Sequence, residues 1–204
     1  MESKRDRLRR RAYRLYTLAY ATLHGLRVGE GVIIRPGARV IREYGGAISI
    51  GARTVVHPGA MLLSYGGEIR IGAHCSINPY CVLYGHGGLV IGDDVRIAAH
   101  CVFIPANHGT TLSDRPISGQ RETRLGIRVG SNVWFGAGAR VLDGADIEDG
   151  CVVAAGAVVR GKLLSNGIYG GVPARLLRMR LPRDLEKVAN DRFVADVPET
   201  TTSS

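Results

Sequence analysis

The stretch FIPANHGTTLSDRPISGQRETRLG, residues 103–126, gathers the side chains best suited to chemistry. His108 follows directly on Asn107, and Asp114, Arg115, Gln120 and Glu122 lie within the next fourteen residues. A histidine ionises close to neutral pH, so it can take a proton from a hydroxyl or an amine without a large shift in proton affinity. A single histidine in a polar loop is also compatible with a plain surface role. His86 lies in a glycine bulge near the same edge and is the second candidate. His57, His74 and His100 fall at turn positions of a repeat and read as outward surface groups, and His24 follows a helical segment.

The elements that must hold this loop are short and repetitive. From Ile50 the chain reads IGARTV, VHPGAM, LLSYGG; from Ile71, IGAHCS, INPYCV, LYGHGG; from Ile91, IGDDVR, IAAHCV, FIPANH. From Val129 it continues VGSNVW, FGAGAR, VLDGAD, IEDGCV, VAAGAV, and a weaker register starts at Val28. The first position is a large apolar residue, the second is often Gly, and the fifth is small. A helix of period 3.6 would not carry this glycine load, and a simple strand would not turn every six residues. One hexamer supplies one short strand and one turn, and three supply one coil of a triangular solenoid. Positions one and five point inward, glycine at position two suits the corner, and Cys75, Cys81, Cys101 and Cys151 become small interior hydrophobes.

The spacing of coil starts locates the exception. Ile50 to Ile71 is 21 residues, Ile71 to Ile91 is 20, and Val129 to Ile147 is 18, whereas Ile91 to Val129 is 38. One coil therefore carries about twenty extra residues, and a loop that long is expected to be functional. The fold expected is all-β, a left-handed parallel β-helix of about six coils. It divides into a basic N-terminal helix (1–27), the β-helix (28–163, with the extended loop 104–126) and a C-terminal helical cap and tail (164–204). In the N-terminal helix Leu8, Ala12, Leu15, Leu18, Ala19 and Leu23 form an apolar face expected to cover the first coil, its arginine-rich side facing solvent. Contact of that helix with a membrane surface is the less favoured reading.

Lys plus Arg total 27 against 18 Asp plus Glu, a formal charge of +9, which favours anionic partners in general. No run reaches 18 apolar residues and no secretion-type leader is apparent, so a cytoplasmic protein with reduced cysteines is expected. Exposed Trp134, Val82, Val102 and Val152 suggest that a flat face is covered by another subunit, and a closed ring of three suits a three-sided prism.

The segments IGDDVRIAAHCVFIPANH, IRVGSNVWFGAGARVLDGADIEDGCVVAAGAVV and GIYGGVPARLLR resemble the hexapeptide-repeat acyltransferases. Within that family the sequence is most similar to the galactoside, maltose and antibiotic O-acetyltransferase branch, with polysaccharide O-acetyltransferases nearby. The resemblance spans residues 28 to about 178 and implies a left-handed β-helix enzyme, a homotrimer with active sites between subunits, that uses acetyl-CoA without a metal. It implies that His108, 17 residues after Ile91, is the general base. Asn78 matches the asparagine that contacts the acceptor; His86 stands where the family commonly has an acid, a departure from the simple galactoside or maltose pattern. Arg115, from the loop, is a further candidate for the acceptor. On the cofactor side Trp134, Gly136, Ala137 and Ala155 match residues lining the pantetheine arm. A backbone N–H of the WFGAG turn is the expected oxyanion donor. Arg160 stands at the family's threonine position and Gly161 at its lysine position, with Lys162 next, so Arg160 and Lys162 are candidates to face phosphate; Arg175 and Arg178 match basic residues near the adenosine 3′-phosphate.

The function this implies is acetyl transfer from acetyl-CoA to a hydroxyl of a sugar, polysaccharide precursor or similar small acceptor. The alternatives are N-acylation of an amino sugar or antibiotic, and a noncatalytic scaffold for anionic partners. A zinc hydratase on the same fold, like the gamma carbonic anhydrases, needs three converging imidazoles; no His-x4-His occurs, and His100 and His108 are eight apart. No nucleic-acid reading motif is present.

Overall fold

The computed structural model describes residues 4–182. One α-helix, Lys4–Leu23, precedes a stack of short strands, none longer than five residues, that wind into three sheets. The sheets have seven, eight and six strands, and successive strands of the chain fall in successive sheets. All pairings along the stack are parallel except the last, so the chain is a parallel β-solenoid of about six turns.

The register follows the hexamers. In the seven-stranded sheet Ile50 pairs with Ile71, Ile71 with Ile91, Ile91 with Val129, and Val129 with Ile147. In the eight-stranded sheet Val56, Ile77, Ile97, Phe135 and Val153 align, and in the six-stranded sheet Leu62, Leu83, Phe103 and Val141 do so. Each column is buried, as are the small residues at position five, including all four cysteines. Phe103, just before the long loop, and Phe135, in the coil after it, meet edge to face at 5.1 Å in the core. The cysteines are free thiols whose Sγ–H groups donate to carbonyls of the following coil, such as Cys81 to Ala98 at 3.0 Å. Burial pushes the thiols of Cys75 and Cys151 up, which suits inert packing groups.

The corners work differently from expectation. The left-handed backbone falls at position four, with Arg53, His74, Asp94 and Asn132 at φ 56–58° and glycine at many equivalent sites. Position two is glycine for another reason. A Cβ on Gly51, Gly72 or Gly136 would stand 2.5 Å from backbone atoms of the next coil, so these glycines permit coil-on-coil contact.

Two terminal elements depart from the sequence reading. The helix does cover the first coil, but with Tyr13, Thr17, Tyr20 and Ala21 rather than the leucine face. Thr17 Oγ1 accepts from Ile34 N–H at 2.9 Å and Tyr20 Oη accepts from Val40 N–H at 3.1 Å. These hydroxyls satisfy edge amides of the first coil that no preceding strand can reach, which leucines could not do. Leu8, Leu15, Leu18 and Leu23 are consequently exposed, at 69%, 64%, 58% and 81%. At the other end, Arg175–Met179 is a strand, not part of a helical cap. It turns back on Gly167–Gly170 as an antiparallel pair and closes the eight-stranded sheet, which gives its backbone ladder partners that a helix would leave unused. The remainder of the expected cap, from residue 183, lies outside the described residues.

Candidate active site

The long loop leaves the six-stranded sheet after Val102–Ile104 and returns at Ile127–Val129 of the seven-stranded sheet. It is a folded arm rather than an open excursion. Asn107 and Thr123 exchange backbone hydrogen bonds at 3.0 and 2.8 Å, forming an antiparallel neck. The Gln120 amide holds the distal part by donating to Thr111 and Arg115 carbonyls and accepting from Thr111 N–H. Asp143 ties the return limb, accepting from Thr123 Oγ1 and Gly126 N–H, both at 2.9 Å. A Cβ at Gly87 would collide with the Pro105 carbonyl, so only glycine lets the bulge pack under the arm.

His108 stands at the neck. Its Nδ1 lies 3.6 Å from Glu122 Oε1, and the imidazole is 62% exposed. Arg124 grips the other carboxylate oxygen with Nη2 at 3.0 Å and Nε at 3.2 Å. The Arg124 hydrogen bonds, with the charges of Arg124, His108 and His86, hold the Glu122 carboxyl below the usual carboxylate range, so it is an anion facing the imidazole. With Nδ1 turned to that anion, Nε2 is the nitrogen left for a substrate.

Beside His108 a cleft of about 310 Å³ is lined by Tyr65, Tyr84, His86, Asn107 and Glu122. Its wall is an aromatic ladder. Tyr44 stacks on Tyr65 at 6.5 Å, Tyr65 on His86 at 4.5 Å, and Tyr84 meets Tyr65 edge-on at 4.9 Å. Burial lowers the proton affinity of His86, and its buried Nδ1 has no hydrogen-bond partner among the described residues. Tyr65 and Glu122 were not singled out as site residues from sequence. The ladder does leave a trace there, in EYGG, SYGG and GHGG at the same corner of successive coils.

The predicted cofactor residues collect elsewhere. At the corner that follows the eight-stranded sheet, Ala99, Ala137 and Ala155 stand in column, joined by Gly138 N–H to Ala99 and Gly156 N–H to Ala137 carbonyls at 3.0 and 2.9 Å. Gly136 is buried there, its N–H bonded to Val153 at 2.7 Å. Gly136 and Gly138 thus spend their amides internally, whereas the Ala137 and Ala155 N–H groups have no acceptor among the described residues. Trp134, 54% exposed, heads an outward row on the adjoining sheet that runs through Val152 and Ile168 to Arg178. Arg175 lies on the same closing strand. Asn78 sits at this corner too, two coils above Gly136, with its amide donating to the Ile97 carbonyl at 2.8 Å.

The remaining candidates do not join either group. Arg115 is exposed on the distal arm, Arg160 on the corner below the aromatic ladder, and Lys162 faces Glu148 at 2.8 Å on the seven-stranded sheet. Among the described residues no group of three or more His, Cys, Asp or Glu is placed to hold a metal.

Within one chain, then, His108 and the alanine column lie at opposite edges of the six-stranded sheet. Residues 126–161 match the family described as bacterial transferase hexapeptide (six repeats). The chain is 33% identical over 97 residues to the putative lipopolysaccharide biosynthesis O-acetyl transferase WbbJ of Escherichia coli, covering 44% of this chain and 50% of that protein. It is 31% identical over 96 residues to the galactoside O-acetyltransferase of the same organism, covering 47% and 46%. The chain thus spans about half the length of these curated relatives. The solved structure of AntD, an N-acyltransferase from Bacillus cereus in complex with dTDP and 3-hydroxybutyryl-CoA, superposes with a TM-score of 0.70 over 88% of this chain and 95% of that one, at 24% identity. That likeness establishes the fold. The chain therefore carries the bacterial transferase hexapeptide repeat on the solenoid this repeat dictates, and it is similar in sequence to the hexapeptide-repeat acyltransferases.

Proposed function

We propose that the protein is an acyl-CoA-dependent acyltransferase that moves an acetyl group onto a hydroxyl of a sugar, polysaccharide precursor or similar small acceptor. The observation that carries this reading is the His108–Glu122–Arg124 chain at the mouth of an aromatic-walled cleft. His108 Nε2 takes the proton of the acceptor hydroxyl as its oxygen attacks the thioester carbonyl carbon. The tetrahedral oxyanion is met by a backbone amide, for which the uncommitted Ala137 N–H is the best donor. Collapse breaks the C–S bond, and the departing thiolate of coenzyme A recovers the proton from the imidazolium. Glu122 is a positioning residue that faces the ring's Nδ1 and orients it.

The pantetheine arm would lie along the alanine column, where small side chains admit it and the Ala155 amide meets it, with Trp134 alongside. Arg175 and Arg178 then face the phosphates. Because the base and this column occupy different edges of one prism, each site is completed by a neighbouring chain. A left-handed, threefold ring with sites between subunits fulfils that need, and Asn78 then reaches the acceptor from the neighbour. Use of acetyl-CoA and four cysteines kept as free thiols fit a cytoplasmic setting. N-acylation of an amino sugar is the second reading, favoured by the likeness to AntD over most of the chain, since the same base can serve an amine.

The test is thiol release from acetyl-CoA in the presence of panels of sugars, nucleotide sugars and amino sugars. Acceptor-dependent release supports the reading, and the accepting panel decides between O- and N-transfer. Failure to bind coenzyme A at all would refute it.

A further inference from the structure

We propose that the N-terminal helix seats the molecule on the surface of an anionic lipid bilayer. The leucines expected to cover the first coil do not do so. Tyr13, Thr17, Tyr20 and Ala21 hold that contact, and at about 100° per residue Leu8, Ala12, Leu15 and Ala19 lie on the diametrically opposite line. Leu8 and Leu15 are 69% and 64% exposed, and Leu18 and Leu23 widen the ridge at 58% and 81%. Arg7, Arg11 and Arg14 border the ridge on one side and Arg5 and Arg9 on the other, all of them exposed. An apolar line between two rows of guanidinium groups is the pattern of a helix lying flat at the boundary of headgroups and acyl chains. No helix among the described residues is long and apolar enough to cross a membrane, so the geometry is that of a surface helix.

The flank of the helix continues the positive field onto the solenoid. Arg9, Arg10, Tyr13, Arg14, Arg35 and Arg53 line a cleft of about 620 Å³ between the helix and the first two coils. Arg9 and Arg35 lie over the Tyr13 ring at 5.6 and 5.9 Å. Among the described residues no carboxylate pairs with Arg14, Arg35 or Arg53, and the buried Nε of Arg35 has no acceptor. Lipid phosphates meet the exposed guanidinium groups of Arg14 and Arg53 instead. A second copy of the same helix would set arginine rows against each other, and a nucleic acid would leave the leucines in water, so the bilayer is the partner that uses both features.

The full chain is to be sedimented with vesicles of phosphatidylglycerol and phosphatidylcholine in equal parts, and with vesicles of phosphatidylcholine alone. Binding to the anionic vesicles is expected, about tenfold or more weaker on the neutral ones, and reduced in 1 M salt, where the screening length falls to roughly 3 Å. Leu8→Ser with Leu15→Ser should weaken vesicle binding about tenfold or more, with melting temperature and solution mass unchanged. Arg7→Glu with Arg11→Glu should do the same. The proposal is overturned if anionic vesicles do not bind the chain or if the leucine variant binds them as the parent does. It is equally overturned if that variant lowers the solution mass, which would make the ridge a contact between copies. Release of the chain from vesicles by duplex DNA, with the leucine variant holding DNA unchanged, would also overturn it in favour of a nucleic-acid surface.

Discussion

Two corners of the same prism are built from the same hexamer and have opposite characters. The corner after the eight-stranded sheet is worn down to Gly136, Ala137 and Ala155 in the coils below the stacked pair of Tyr80 and His100. The corner after the six-stranded sheet carries Tyr44, Tyr65, His86 and the arm that presents His108. In a solenoid the coil-to-coil ladder fixes the backbone, so side-chain size and insertions are what remain to be varied at each corner. On the function proposed above, one corner would admit the cofactor and the other would take the proton, and neither would be a complete site alone.

The largest effect should separate them. His108→Ala is expected to lower turnover about 10²–10⁴-fold while leaving the KM for acetyl-CoA within about twofold, measured by steady-state kinetics. A raised acetyl-CoA KM at unchanged turnover would erase the division of labour. Ala155→Leu should do the reverse, raising that KM about tenfold or more with turnover nearly kept, because a side chain then fills the slot without touching the base. Glu122→Gln should reduce turnover about tenfold, with Glu122→Asp recovering part of it, which a purely structural role of the arm would not show. Tyr65→Ala should raise the acceptor KM about three- to tenfold by removing the stacking partner of His86. The smallest change lies away from both corners. Lys162 and Ser165 hold the Glu148 carboxyl down to about 2, against an ordinary 4.5. Its folded form favours the anion, so the stabilisation is fully present above pH 4.5 and fades as pH falls toward 2. The difference in melting temperature between parent and Glu148→Gln should vanish over that interval.

The stack itself was legible because its constraint is local and repeated. Ile50, Ile71, Ile91, Val129 and Ile147 had to share a column once one hexamer was recognised, and the 38-residue gap marked the arm. The role of position-two glycine was misread, since contact between coils is a property of the stack and not of the turn. The helix was misread for a related reason. Leucine periodicity identifies an apolar face but not what covers it, and the decisive groups were the Thr17 and Tyr20 hydroxyls, chosen by unpaired amides that appear only after the first coil is built. The strand Arg175–Met179 was hidden similarly, because its partner Gly167–Gly170 exists only as a free sheet edge. His108 was legible as a candidate, whereas its link to Glu122 depends on an arm folding back through the Asn107–Thr123 neck.

The alanine column has a further consequence. Its members are one strand spacing apart, roughly 4.8 Å, so the corner is a ruler with fixed graduations. Duplicating one 18-residue turn between Val129 and Ile147 would lengthen the ruler by a single graduation and leave every rung beside it unchanged. For a ligand lying along the column, the distance between its two ends would be set by counting turns, a quantity that genes can alter in whole steps without redesigning a single contact.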